Sequence, residues 1–146
     1  MNYREQFARL SKLQKSGDNE ECWNDFYTQD ILRRITGLEP LVGRDACRQQ
    51  VQHFIDGLKG TPKTKLTAIA FDDENQVSIV EFQHDFSHKE WGEISQMQTH
   101  IQRWREGRIY EENIYIINLT SRPNSQAEST NQEVQTSNDP PVHLHQ

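Results

Sequence analysis

The stretch "WREGRIYEENIYII", residues 104–117, carries the strongest structural signal in this chain. Arg105, Glu106 and Gly107 form a short turn, after which apolar residues alternate with polar ones, as they do in a half-buried β-strand. Two acids and an amide, at positions 111–113, interrupt the middle of this strand. A polar side chain on the inner face of a strand can be a ligand contact, so the stretch bears on function as well as on fold.

The segments upstream extend this pattern into an antiparallel meander. We predict strands over residues 66–71, 76–86 and 93–104, and the quoted stretch supplies one more over 108–117. Helical spacing of apolar residues predicts three helices before them, which contain Phe7 to Leu13, Cys22 to Tyr27 and, after "GRD", Cys47 to Leu58. Three helices followed by a meander predict an α+β fold with an antiparallel sheet.

Composition narrows the class of protein. The chain has 22 acidic and 16 basic residues, a formal net charge of −6, and no run of Lys and Arg that could track phosphates, so we expect no nucleic-acid partner. No apolar stretch approaches the roughly 20 residues of a membrane helix, and the N-terminus lacks the apolar centre of a secretion signal. We therefore expect no membrane partner and a cytoplasmic location, where Cys22 and Cys47 stay reduced.

The composition changes after residue 118. The segment "LTSRPNSQAESTNQEVQTSNDPPVHLHQ" is rich in Ser, Thr, Asn, Gln and Pro and has almost nothing to bury. Such composition is typical of disorder. We predict one folded domain over residues 1–118 and a disordered low-complexity tail over residues 119–146.

Three segments, in this order, resemble the nuclear transport factor 2-like superfamily and its SnoaL-like polyketide cyclase branch. They are "CWNDFYTQDI", "LVGRDACRQQVQHFIDGL" and "IQRWREGRIYEENIY". The resemblance implies three N-terminal helices packed in a strongly curved antiparallel sheet, a cone-shaped α+β barrel with an internal pocket, often dimeric through the outer face of its sheet. Members of the superfamily include ketosteroid isomerases, limonene epoxide hydrolases, scytalone dehydratases and polyketide cyclases, beside proteins that only bind.

The resemblance also implies which strand residues face the pocket. The inward set would be Phe82, His84, Phe86, Gln96, Gln98, His100, Gln102, Tyr110, Glu112, Ile114 and Ile116. Glu111, Asn113 and Tyr115 would then face outward or toward a partner subunit.

His100 and Glu112 are the candidate catalytic residues. His100 falls where ketosteroid isomerases carry the protonated acid that donates to an oxyanion, and an imidazole can donate, accept or shuttle a proton near neutral pH. Glu112 could be a general base, with its pKa raised by apolar walls, or the partner that fixes the tautomer of His100. The alternatives are a satisfied strand histidine and a strand acid paired with Arg103 or Arg108.

A second set of side chains would line the pocket and contact a ligand. Trp23, Tyr27 and Phe54 can equally be core residues, and His84 between aromatic residues can equally be a hydrogen-bonded core histidine. Nothing in the sequence has the compact spacing of a zinc site, so we expect no metal and no cofactor. The candidate ligand-binding residues are Trp23, Tyr27, Phe54, Phe82, His84, Gln98, Tyr110 and Ile114.

Departures from known members limit the chemistry. Leu10 and Ile35 stand where the isomerases carry a catalytic tyrosine and a proton-shuttling aspartate, and Ile114 stands where the epoxide hydrolases carry an aspartate. A His and a Glu on adjacent strands, with Gln side chains to hold an oxygen, would suit a cofactor-independent cyclase, isomerase or dehydratase. The ligand would be a small, mostly apolar or polyketide-like carbonyl compound. A non-catalytic binding or carrier domain and a dimerising interaction module stay open as alternatives.

We predict that the tail is dispensable for folding. A chain that lacks residues 120–146 should keep the thermal midpoint of the full chain, because the tail offers no apolar periodicity with which to pack. Differential scanning calorimetry of both chains checks this. A midpoint lowered by many degrees would show that the tail packs on the domain.

Overall fold

The computed structural model describes residues 2–15 and 20–120 of the chain. Three helices lie in these ranges, namely α1 (Tyr3–Lys15), α2 (Glu20–Phe26) and α3 (Arg44–Asp56). The strands in the same ranges are β1 (Tyr27–Ile35), β2 (Leu41–Val42), β3 (Lys63–Asp72), β4 (Val77–His88), β5 (Gly92–Arg105) and β6 (Arg108–Asn118). The predicted α+β class is confirmed, with helices packed inside a curled sheet.

Strand β1 is the main departure from the sequence prediction. We predicted a helix through Tyr27, but α2 ends at Phe26 and the chain passes directly into a strand. Ile31, Arg33 and Ile35 are buried while their neighbours are more exposed, which is the period of two that a strand gives. The helical interpretation failed because Tyr27 continues the apolar stripe of α2, so periodicity alone places the boundary too late.

The sheet is mixed, not wholly antiparallel as predicted. Its strand order is β2-β1-β6-β5-β4-β3, and β1 runs parallel to β6 while the other neighbouring pairs are antiparallel. In the parallel pair, the Cα atoms of Arg33 and Glu112 are direct partners. The late strand β6 is thereby joined to the early strand β1, so the two ends of the domain meet in the middle of the sheet.

Turns and bulges shape the sheet at the β5–β6 hairpin. Glu106 and Gly107 both have positive φ, 54° and 78°, as a two-residue type I′ hairpin turn requires. The register then shifts by one residue between Arg103 and Trp104. Such a bulge bends its strand and increases the local twist, which helps the sheet to curl around the helices.

The main core lies where the helices meet the inner face of the sheet. It is built on apolar side chains from the three helices, from β1 and from the turn-proximal ends of β5 and β6: Tyr3, Phe7, Leu10, Cys22, Trp23, Phe26, Tyr27, Ile31, Cys47, Val51, Trp104 and Ile109. A second cluster, Phe54, Phe86 and Ile94, closes the other end of α3 against β4 and β5. Between them the inner face is polar, as the next section describes.

The described chain continues just beyond β6. Leu119 donates its backbone N–H to Ser95, and the Thr120 hydroxyl accepts the Ser95 N–H. The predicted tail lies, from residue 121 onward, outside the described residues. Cys22 and Cys47 are buried thiols, and no helix in the described ranges is long and apolar enough to cross a membrane.

A homodimer through the outer face of the sheet remains a prediction. Tyr115 and Ile117 are 53% and 65% exposed there, and Met97 is the cross-strand partner of Ile117. Light scattering at micromolar protein concentration should give twice the mass of one chain, and Ile117→Lys should shift the equilibrium to monomer because it would bury a charge at the contact. Val42→Lys, at an equally exposed position on β2, is the control. A monomeric parent protein would contradict the prediction.

Candidate functional site

A fully buried ion pair forms the centre of the cone interior. Arg33 and Glu112 have side chains only 1% and 0% exposed. Nε and Nη2 of Arg33 both donate to Glu112 Oε1, at 3.0 and 2.8 Å. Because β1 and β6 are parallel neighbours with these two residues in register, both side chains leave the sheet on its inner face. The carboxylate that interrupts the final strand thus has an arginine partner inside the fold.

Arg33 was missed by the sequence analysis. The spacing of Ile31, Arg33 and Ile35 is the signal that could have found it, since an arginine between two apolar residues at period two points to the buried face of a strand. The predicted alternative, that Glu112 pairs with Arg103 or Arg108, is wrong. That surface role belongs to Glu111, which lies 2.9 Å from Arg34.

The second carboxylate oxygen of Glu112 begins a chain of hydrogen bonds. Gln102 Nε2 donates to Glu112 Oε2 at 2.7 Å, and Ser78 Oγ donates to Gln102 Oε1 at 2.9 Å. The indole N–H of Trp104 donates to Ser78 Oγ at 2.8 Å. Both the nitrogen and the oxygen of the Gln102 amide are therefore hydrogen-bonded within the fold, so this side chain orients Glu112.

His100 lies beside the same carboxylate oxygen. Its Nδ1 is 3.8 Å from Glu112 Oε2, and its Nε2 is 3.0 Å from Gln98 Oε1. Gln98 in turn donates through Nε2 to Gln96 Oε1 at 3.1 Å. Because the Gln98 amide oxygen can only accept, this arrangement assigns the proton to Nε2 of His100 and leaves Nδ1 unprotonated.

Burial sets the charge of both groups. Removal from water lowers the pKa of His100 to about 4; Glu112 counteracts this effect and Arg33 adds to it. For Glu112, burial alone would raise the pKa, but Arg33, His100 and the hydrogen bonds from Gln102 and Arg33 outweigh it and lower the pKa. At neutral pH the site therefore holds a neutral imidazole and an ionised carboxylate. The predicted raised pKa of Glu112 is wrong because the apolar walls are not its only neighbours.

Two further candidate residues border His100. The ring of Phe82 lies 4.9 Å from the His100 ring between centroids, and Ile114 is the cross-strand partner of His100 and 1% exposed. The rings of Trp23 and Tyr27 lie 4.5 Å apart between centroids, tilted by 30°, and the guanidinium carbon of Arg33 lies 5.3 Å from the centre of the Trp23 ring. These apolar surfaces shield the polar groups from water.

His84 and Phe54 belong to the far end of the interior. The His84 ring is 6.1 Å from Phe82 and 6.0 Å from Phe54, and Phe54 packs on the edge of Phe86. His84 is fully buried. The structure therefore does not bring these two residues to Glu112, and Phe82 separates them from His100.

Tyr110, predicted to face the pocket, lies outside the site. It is half-buried and its ring lies 4.4 Å below the guanidinium carbon of Arg105, while Ile109 is fully buried in its place. The bulge after Arg103 pairs Trp104 with Ile109 and so changes which residues of β6 face inward near the turn. Counting alternate residues from Gly107 gave the wrong face for Tyr110 and the right one for Glu112, which lies beyond the bulge.

Comparison with known proteins supports the fold. No protein-family profile and no curated protein matches the sequence. A candidate SnoaL-like polyketide cyclase from Jannaschia sp. CCS1 is similar in structure, with a TM-score of 0.66 and 8% identity over 78% of this chain and 84% of that one. An LEH-like epoxide hydrolase from M. tuberculosis is similar with a TM-score of 0.60 and 14% identity, over 79% of this chain and 81% of that one. An NTF-2 like protein from Burkholderia xenovorans LB400 is similar with a TM-score of 0.61 and 19% identity, over 84% of this chain and 88% of that one. The chain therefore has the nuclear transport factor 2-like fold, the fold of the SnoaL-like proteins.

Proposed function

We propose that this protein is a cofactor-independent enzyme that moves a proton on a small, mostly apolar carbonyl compound held inside the cone. The observation that carries the proposal is the position of His100, neutral and buried, with Nδ1 3.8 Å from Oε2 of the ionised Glu112. Cyclases, isomerases and dehydratases all need such a step. The similar structures include one described as a polyketide cyclase and one described as an isomerase, which is consistent with the proposal.

His100 would act as the base. Its lowered pKa keeps essentially all molecules in the neutral form at pH 7, and its bond to Gln98 fixes the tautomer that leaves Nδ1 free to accept a proton. The proton would leave the carbon next to the carbonyl and bind Nδ1. The electron pair of the broken C–H bond would then move to the carbonyl oxygen, which forms an enolate.

Glu112 would stabilise the product of that transfer without taking the proton itself. Protonation of His100 creates an imidazolium 3.8 Å from Glu112 Oε2, and opposite charges at this distance attract strongly away from water. Arg33 and Gln102 hold the carboxylate in place while this happens. The proton can later return from Nδ1 to another atom of the same substrate, which completes an isomerisation or assists a cyclisation or dehydration.

Deuterium exchange tests this proposal before the natural substrate is known. The protein is incubated in D₂O with a panel of small ketones, diketones and enones, and exchange at the carbon next to the carbonyl is followed by NMR. We expect catalysed exchange that disappears in His100→Gln and persists in His53→Gln, because His53 is 59% exposed and far from Glu112 in the fold. The rate should be independent of pH near neutrality and half-maximal near pH 4.

The same experiment separates the enzyme from a binding domain. Compounds that bind without catalysed exchange would favour the non-catalytic carrier, whose polar interior only orients its ligand. Exchange that is unchanged in folded His100→Gln would end the proposed role of His100. A pH profile with its midpoint at the ordinary histidine value would show that His100 is not held in its buried, neutral state.

The buried neutral state of His100 also predicts a pH dependence of stability. In the unfolded chain its pKa returns to 6.5, so the unfolded state binds the proton first as the pH falls. The free energy of unfolding should therefore fall as the pH is lowered from 6.5 to about 4. This one group should account for a loss of about 3 kcal/mol over that interval. Urea unfolding of the parent protein and His100→Gln across this range measures the difference.

The variant should lose less stability over that interval than the parent protein. His88, whose pKa is also lowered by burial, titrates in both proteins and so cancels in the comparison. Equal losses in the two proteins would contradict the neutral, buried state of His100. His53→Gln, at an exposed position, should follow the parent curve.

A further inference from the structure

Two buried N–H donors near the ion pair have no hydrogen-bond partner within the described ranges. They are Nη1 of Arg33 and Nε1 of Trp23. Arg33 uses its other nitrogens on Glu112, and Trp23 uses its ring to pack on Tyr27, so neither role satisfies the remaining N–H. A buried donor that lacks a hydrogen bond costs about 1–3 kcal/mol. Two such donors on adjacent groups indicate a place where an acceptor atom binds.

The two donors belong to side chains in contact. The guanidinium carbon of Arg33 lies 5.3 Å from the centre of the Trp23 ring, and the two residues are 1% and 3% exposed. They come from different elements, β1 and α2, which meet where the helix passes directly into the strand. One acceptor atom between them would satisfy groups that the protein itself leaves unused.

The charges already present select a neutral acceptor. Arg33 is positive and Glu112 negative, and His100 is neutral at pH 7. Cys47, which also lies near Arg33, has its pKa raised by burial, so its thiol adds no charge. A carboxylate bound here would leave one uncompensated negative charge away from water, whereas a carbonyl oxygen leaves the interior neutral.

We propose that Arg33 Nη1 and Trp23 Nε1 form the subsite that binds the carbonyl oxygen of the ligand. This inference rests on the proposed function for the identity of the ligand class and adds the groups that hold its oxygen. When a proton passes to His100, negative charge develops on that oxygen, and a hydrogen bond from either N–H would stabilise it. The Gln side chains, which the sequence suggested for this role, are engaged with one another, with His100 and with Glu112.

Binding of matched probes tests the subsite without any turnover. Acetophenone, its oxygen-free counterpart α-methylstyrene and the carboxylate benzoate share one ring and differ at the acceptor. The chain has three tryptophans, whose indole N–H signals are resolved by ¹H–¹⁵N NMR and assigned by single substitutions. We expect acetophenone, and not α-methylstyrene, to shift the Trp23 signal, while that of Trp104, which donates to Ser78, stays in place.

Trp23→Phe removes the donor and keeps an aromatic ring. It should weaken acetophenone binding by about fivefold, the value of one ordinary hydrogen bond, and leave α-methylstyrene binding unchanged. Trp91→Phe, at the other end of the interior against His88, is the matched control and should change neither. Arg33→Lys retains the charge beside Glu112 but not the planar donor geometry, and it should weaken acetophenone binding in the same way.

Each result supports or overturns the subsite. Equal effects of acetophenone and α-methylstyrene on Trp23, a preference for benzoate, or no acetophenone-dependent shift would overturn it; the last result would mean that the two donors hold an ordered water only. An oxygen-dependent shift without deuterium exchange would sustain the subsite and reject the proposed proton transfer. Deuterium exchange that persists at the parent rate in Trp23→Phe and Arg33→Lys would reject the subsite and sustain the proposed proton transfer.

Discussion

The interaction on which the structure depends is the ion pair of Arg33 and Glu112 at the parallel junction of β1 and β6. Neither side chain is exposed to solvent. Each charge neutralises the other in an interior where an unpaired charge would be strongly destabilising. Breaking such a pair by removal of one partner costs about 3–5 kcal/mol, a large part of the stability of a small domain. A slip of either strand by one residue would place one charge outside the cone and leave the other inside, so the pair also fixes the register.

The two carboxylate oxygens of Glu112 have different hydrogen-bond partners. Oε1 of Glu112 serves Arg33 alone, and Oε2 serves Gln102 and faces His100. The first oxygen therefore helps to hold β1 and β6 together, and the second lies beside the imidazole that we propose as the base. This arrangement explains how a carboxylate can be ionised deep in a protein and still be available to a neighbouring imidazole, since its charge is already compensated before any ligand enters.

Alternation along the strands, combined with the family resemblance, was sufficient to place His100 and Glu112 on the inner face, where both are buried. It was insufficient for Arg33, whose strand directly follows a helix with no break in the apolar pattern and whose partner is 79 residues away. It also failed for Tyr110, because a bulge changes parity without a glycine or proline to announce it. Arg33 was missed because its partner is distant in sequence, and Tyr110 was misplaced because a bulge depends on how two strands pair, which alternation along one strand does not record.

Strand β3 has a different consequence, for the behaviour of the protein in concentrated solution. It ends the sheet, and nearly all of its residues are exposed, including Leu66 at 55% and Ile69 at 46%. A sheet margin with free backbone groups and apolar side chains can recruit a further strand from another molecule. Lys63 and Lys65 place like charges at its beginning, which opposes such stacking, whereas residues 66–71 are uncharged. We therefore expect self-association in concentrated solution to begin at this margin, and not at the buried ion pair of Arg33 and Glu112.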